Sequence, residues 1–174
     1  MTDHPGLRIV CLAGSSDSGK TTLVEKLVPR LAESGRVGTV KSIHHEIEVD
    51  TPGTDTDRHR RAGADAVVGI TPDLTFELAS AGKTGPPNDP DSGWLFGSDA
   101  DDELGALESA LARFRRREYD FVLVEGYKEA PLPTIVVGDL PDSAVEGTVV
   151  GRDADGLERL VETIRGLDPV AADR

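Results

Sequence analysis

The chain has 174 residues, enough for one domain with a proper core, and its 37 % hydrophobic residues fall in periodic runs that exclude a disordered chain. Its 32 Asp and Glu outnumber 19 Lys and Arg, for a net charge of −13, and a field of that sign repels polyanions, so no nucleic acid and no anionic membrane is expected as a partner. No apolar run approaches the roughly 20 residues that span a bilayer, and the single Cys11 cannot form an internal disulfide, which suits a cytoplasmic setting.

Asp3, His4 and Pro5 interrupt the N-terminus, so no secretory leader is expected. Residues 8–13 (RIVCLA) read as a first strand, with Cys11 a packed thiol. The next eight residues, Gly14-Ser15-Ser16-Asp17-Ser18-Gly19-Lys20-Thr21, fit G-x-x-x-x-G-K-[ST], the phosphate-binding loop, and Thr22 follows. Glycines at both ends let the backbone turn its N–H groups toward a polyphosphate, and the helix that starts near Gly19 adds its positive end. Lys20 reaches the outer phosphates, and the Thr21 hydroxyl is placed to ligate Mg²⁺.

The helix after the loop puts Leu23, Leu27, Val28 and Leu31 on one face; Pro29 predicts a kink or loosening, and Gly35 a C-terminal cap. Residues 36–43 (RVGTVKSI) read as a second strand, so the start is a βαβ unit of a parallel sheet whose carboxyl-end loops carry ligand. Residues 44–64 are polar, with three histidines. Three readings stand for them: a nucleotide-sensing switch, a metal site built from His44, His45, Asp50, Asp55 and Asp57, or a solvated loop with a short helix at 56–61. Adjacent histidines on an extended segment point apart, which disfavours a shared ion.

Residues 66–70 and 74–78 read as an edge hairpin about Thr71-Pro72-Asp73. The Gly-, Pro- and Asp-rich stretch 82–102 is expected to be a mobile acidic loop, with Trp94 either pinning it to the body or serving a partner surface. A helix follows at 103–117; its four arginines, Arg113, Arg115, Arg116 and Arg117, complement the helix dipole. Residues 120–125 (DFVLVE) mark a strand buried on both faces, with Glu125 emerging at its carboxyl end. An acid there, paired with the loop at Gly14, holds Mg²⁺ or positions the attacking water. Strands at 134–137 and 148–150 and a helix at 153–165 complete an α/β fold: a three-layer P-loop NTPase in a single domain, with a mainly parallel sheet and a short edge hairpin.

Three segments together, AGSSDSGKTTLVEKLVP, VKSIHHEIEVDTPGTDTDRHRRAGAD and DFVLVEGYK, resemble the MobB family of molybdopterin-guanine dinucleotide biosynthesis adaptor proteins. The middle segment is the most specific: Lys41, His44, His45, then V-D-x-P-G-x-D-[ST] at 49–56 and R-x-A-G-A at 60–64. The resemblance implies a cytoplasmic homodimer that binds GTP with Mg²⁺, hydrolyses it weakly, and assists the nucleotidyltransferase MobA in guanylylating Mo-molybdopterin. Carried over by residue, Gly14, Ser15, Ser16, Asp17, Ser18, Gly19, Lys20, Thr21 and Thr22 hold the phosphates, Thr21 and Glu125 the metal. Asp50 and Asp55 lie near the nucleotide, and His44 and His45 face nucleotide or the partner's cofactor. Lys20 and Glu125 serve any hydrolysis. Apart from the resemblance, the loop holds no arginine finger, so slow hydrolysis is expected, with Arg58, Arg60 or Arg61 as candidates to act in trans across a dimer. No N-K-x-D guanine motif occurs, and Thr54 stands where the family often has a basic residue, so guanine preference rests on the resemblance. Other classes use the same loop. A small-molecule kinase calls for an Arg-rich lid, a metallochaperone GTPase for a Cys- or His-dense segment, and a scaffold would bind nucleotide without turnover.

Overall fold

The computed structural model describes residues 6–84, 90 and 92–170; Asp3, His4 and Pro5, and positions 85–89 and 91 of the acidic loop, lie outside the described residues. In chain order the elements are β1 (Arg8–Ala13), α1 (Lys20–Ala32), β2 (Val37–Lys41), α2 (Asp55–Arg61), β3 (Ala66–Ile70), β4 (Thr75–Ala79), α3 (Asp102–Arg116), β5 (Phe121–Glu125), β6 (Thr134–Val136), β7 (Val149–Arg152) and α4 (Leu157–Arg165). They belong to two compact units, one of Met1–Ser42 with Ala110–Arg174, the other of Ile43–Ser109.

The first unit is built on a five-stranded sheet in the order β2-β5-β1-β6-β7, parallel at every pairing. The βαβ start of the chain is therefore opened by β5, which sits between β1 and β2. The reason is burial: β1 and β5 are almost wholly buried and take the centre, while β2 and β7 alternate or are half-buried and take the edges. Register places Val10, Leu12, Phe121 and Leu123 on one face, where they form a core with Leu23, Leu27 and Leu31 of α1 and Leu160, Val161 and Ile164 of α4. Each such leucine taken from water contributes about 1.5–3 kcal/mol. Cys11, Val122 and Val124 face the other way and are fully buried. A side chain on Gly38, beside Val122, would strike the Phe114 ring, so the last turns of α3, from residue 110 on, cover that face and the layers number three. This is the α/β fold of the P-loop NTPases.

Three local expectations change. α1 runs on through Pro29 and ends one turn later, where Ser34 N–H donates to Leu31 O at 3.0 Å. Gly35 is not a left-handed cap; a Cβ there would meet the Asp120 side chain at 2.5 Å, and Asp120 accepts the Arg36 N–H at 2.7 Å. The last helix is split: 153–155 form a 3-10 turn, and Gly156, at φ +88°, breaks the backbone before α4 begins.

In the second unit β3 and β4 pair antiparallel as a two-stranded sheet of their own. Thr71 closes the turn, accepting the Leu74 N–H on its hydroxyl at 2.9 Å and donating its own N–H to Leu74 O at 2.8 Å. Phe76 lies across from Gly69, filling the space a side chain would need. The buried Glu108 carboxylate accepts the N–H groups of Gly93, Leu95 and Phe96 at 2.6, 2.5 and 2.8 Å, and Trp94 Nε1 donates to Glu108 O at 3.3 Å. The aromatic is thus pinned, with an acid inside α3 as the anchor.

Candidate functional site

The phosphate loop leaves the sheet at the carboxyl end of β1, where Ala13 is buried. Gly14 has no room for a side chain: a Cβ would lie 2.5 Å from both Ser18 Oγ and Val137 O. Asp17 and Gly19 hold positive φ of 60° and 98°, the alternation that turns backbone N–H groups into one concavity. Gly19 caps α1 without a side-chain bond, so the helix's leading amides are offered to a ligand. Lys20 reaches back across the loop, donating to Gly14 O at 2.9 Å and Ser15 O at 2.7 Å. Ser18 Oγ is buried with no partner among the described residues, a polar atom inside the loop that an anion's oxygen would satisfy. Ser15, Ser16 and Asp17 form the exposed crest, and Thr22 is exposed on the first turn of α1.

Glu125 ends β5 with its side chain on the α1 face. Thr21 Oγ1 donates to it, 2.9 Å from Oε1 and 3.1 Å from Oε2. The helix start and the strand end thus converge on one set of hard oxygens, a hydroxyl and a carboxylate, the donor chemistry that suits Mg²⁺. Gly126 follows at φ +100°, and its N–H donates to Leu12 O at 3.2 Å, holding the strand end against β1. A residue given no role by sequence completes the group. Lys41, the last of β2 and in register with Glu125, places Nζ 2.7 Å from Oε1 and 3.4 Å from Thr21 Oγ1. The signal lay in two five-residue runs, VGTVK and FVLVE, that end in opposite charges, and it becomes readable once β2 and β5 are known to be neighbours.

The remaining candidates belong to the second unit. His44 Nδ1 lies 3.1 Å from Lys83 Nζ, and Lys83 in turn pairs with Glu103 at 2.7 Å. His45 is exposed. Asp50 Oδ1 accepts the Thr54 hydroxyl at 3.0 Å, while its Oδ2 is buried with no partner among the described residues. Asp55 is an exposed acid 3.7 Å from Arg58. Among the described residues no three His, Cys, Asp or Glu side chains are grouped to hold a metal ion. Asp57 is the acid this region is built on: it is buried, accepts the Gly53 N–H at 2.8 Å, and pairs with Arg60 at 3.0 Å and Arg61 at 2.8 Å. The Gly53 N–H first, then Arg61 and Arg60, hold its carboxyl below the usual carboxylate range against the opposing effect of burial. Arg60 and Arg61 are therefore spent on their own helix rather than presented bare.

Cys11 is buried in β1 and donates to Gly126 O at 3.0 Å; burial pushes its thiol up to about 12, so it is no nucleophile. No helix among the described residues is long and apolar enough to cross a membrane.

The family model described as molybdopterin guanine dinucleotide synthesis protein B matches residues 9–143. A molybdopterin-guanine dinucleotide biosynthesis adapter protein of Haemophilus influenzae is 35% identical over 127 residues, 72% of this chain and 60% of that protein. Its namesake in Escherichia coli is 32% identical over 131 residues, 74% of this chain and 64% of that protein. The chain thus spans less than two thirds of the length of these curated relatives. Among solved structures, molybdopterin-guanine biosynthesis protein B superposes with a TM-score of 0.62 at 25% identity, covering 90% of this chain and 96% of that one. The match runs from β1 through the loop, Lys41 and Glu125 to the residues after β6, and on it the chain belongs to the molybdopterin guanine dinucleotide synthesis protein B family.

Proposed function

We propose that the chain is a GTP-binding, weakly GTP-hydrolysing adapter for molybdopterin-guanine dinucleotide biosynthesis, assisting MobA in the guanylylation of Mo-molybdopterin. One observation carries the nucleotide reading: Thr21 of the loop meets Glu125 at 2.9 Å, in a fold where the loop's amides and Lys20 converge beside them. The adapter role is supported by family membership and by the relatives' names. A homodimer in the cytoplasm belongs to the same proposal; the exposed apolar side chains of the hairpin, Val68, Ile70 and Leu74, would suit contact with a second copy.

In this reading the amides of 14–19 and of the first turn of α1 grip the phosphates. Lys20 leaves the Gly14 and Ser15 carbonyls for the outer phosphate oxygens, where it offsets the charge that develops as water attacks the γ-phosphorus. Thr21 and Glu125 would hold Mg²⁺, which when bound neutralises charge on the β- and γ-phosphates. Glu125 also orients the water through its second oxygen. The loop at 14–22 holds no arginine, so hydrolysis is expected to be slow. In the second unit Arg60 and Arg61 pair with Asp57, and Arg58 lies 3.7 Å from Asp55.

The test is a titration of GTP against ATP, with phosphate release followed in the presence and absence of MobA and Mo-molybdopterin. GTP preference and a slow release that changes with MobA are expected, and Lys20→Ala should weaken binding about tenfold or more, since a charge-assisted bond to phosphate is lost. ATP preference with phosphoryl transfer to a small acceptor would sink the proposal in favour of a kinase.

A further inference from the structure

We infer that Lys41 is a resident cation that competes with the divalent metal for Glu125, so that the metal site opens only when nucleotide phosphates arrive. The inference rests on the reading of Thr21 and Glu125 as the metal-holding pair. Its basis is the ring of three contacts: Lys41 Nζ to Glu125 Oε1 at 2.7 Å, Lys41 Nζ to Thr21 Oγ1 at 3.4 Å, and Thr21 Oγ1 to the same Oε1 at 2.9 Å. One carboxylate oxygen is therefore shared by an ammonium and a hydroxyl, and a metal taking that oxygen must displace the ammonium.

The two partners are unequally fixed. The Glu125 side chain is 11% exposed at the end of a buried central strand, whereas that of Lys41 is 53% exposed at the end of an edge strand. An ammonium on a flexible four-carbon stem is a compact charge that is easily moved, while the carboxylate stays. In the free protein Lys41 cancels the Glu125 charge and lowers the site's pull on a divalent ion. Bound phosphates restore negative charge beside the pair, favour the metal, and give the displaced ammonium a new partner. Metal and nucleotide then bind with positive coupling, part of which is set by Lys41.

The test uses the full chain and Mn²⁺, followed by the electron paramagnetic resonance signal of the free ion, with and without a non-hydrolysable GTP analogue. Without nucleotide, Lys41→Met is expected to bind Mn²⁺ about three- to tenfold tighter than wild type, the range for losing a competing, partly exposed ion pair. Lys41→Arg, which keeps the cation, should stay near wild type, and adding Glu125→Gln to Lys41→Met should erase the gain. A merely structural lysine would show the opposite sign, since its loss would loosen the site. Lys41→Gln provides the same measurement if the methionine variant folds poorly. Equal or weaker Mn²⁺ binding in both neutral variants, with wild type taking up Mn²⁺ alongside nucleotide, overturns the competition alone. A wild type that takes up no Mn²⁺ even with nucleotide overturns the metal-site reading as well.

Discussion

In the unit of residues 1–42 and 110–174, Thr21, Lys41 and Glu125 stand at the ends of a helix and two strands; β5, which carries Glu125, is wholly buried. In the unit of residues 43–109, His44, His45 and Asp50 lie on chain without regular structure, and Asp55 opens a helix of seven residues. The first set is placed by register across strands more than 80 positions apart in sequence. The acids of the second are held by bonds that reach three or four residues, such as Thr54 to Asp50 and Asp57 to Gly53, while His44 reaches farther, to Lys83. The apolar side chains divide the same way. The packed leucines of α1 and α4 belong to the first unit, while the large exposed ones, Ile47, Val49, Val68, Ile70 and Leu74, all belong to the second. Geometry held by a packed sheet opens only when the core opens, whereas geometry held by local bonds on exposed chain can open by itself.

Core truncation should break this contrast most. Leu123→Ala empties a site that is 1% exposed beside Glu125, and an unfolding titration should show a loss of about 2–5 kcal/mol. Nucleotide affinity should fall with it, because β5 carries Glu125. Gly14→Ala comes next. Its methyl would meet Ser18 Oγ and Val137 O at 2.5 Å, so the loop must shift; a cost of about 1–3 kcal/mol is expected, with loss of nucleotide binding in calorimetry. A Gly14→Ala protein that still binds GTP normally would mean the loop is softer than its packing implies.

The same contrast explains what could be read in the sequence. The loop, its helix and the strand ending in Glu125 were legible because an eight-residue motif and a run of four apolar residues are local signals. Lys41 beside Glu125 was not, since it depends on β5 lying between β1 and β2, a choice of strand order that burial decides. Glu108 was not legible either: within a helical stripe an acid reads as solvated, and only the turn at 93–96 supplies the three N–H donors that allow it inside. Gly35 and Gly156 show two uses of one residue, close approach and left-handed backbone, which sequence alone does not tell apart.

Titration should separate the units by pH. Asp57 has a folded pKa below its ordinary value, so the stability it gives the second unit is present above the ordinary carboxylate range and is lost as pH falls through the folded value. Asp57→Asn should therefore weaken α2 at neutral pH and flatten the acid limb, as read by hydrogen exchange of 53–61. Cys11 has the opposite placement. Its pKa is raised from 9.0 to about 12, so between those values the unfolded chain releases the proton first and stability falls as pH rises. In Cys11→Ala the alkaline limb should be shallower than in wild type, with the acid limb unchanged.

The smallest effect is expected at Ile70, which is 80% exposed on the hairpin. Its cross-strand neighbour is Thr75, which is exposed as well, so a polar residue loses little packing. At a concentration where the chain sediments as a monomer, Ile70→Ser should change stability by no more than about 0.5 kcal/mol. The comparison sharpens when the concentration is raised. If the apolar row of the hairpin is covered by a second copy, wild-type stability rises with concentration by mass action and that of Ile70→Ser does not. If the two proteins stay together at every concentration, the second unit leaves these side chains in water, and any dimer is built elsewhere.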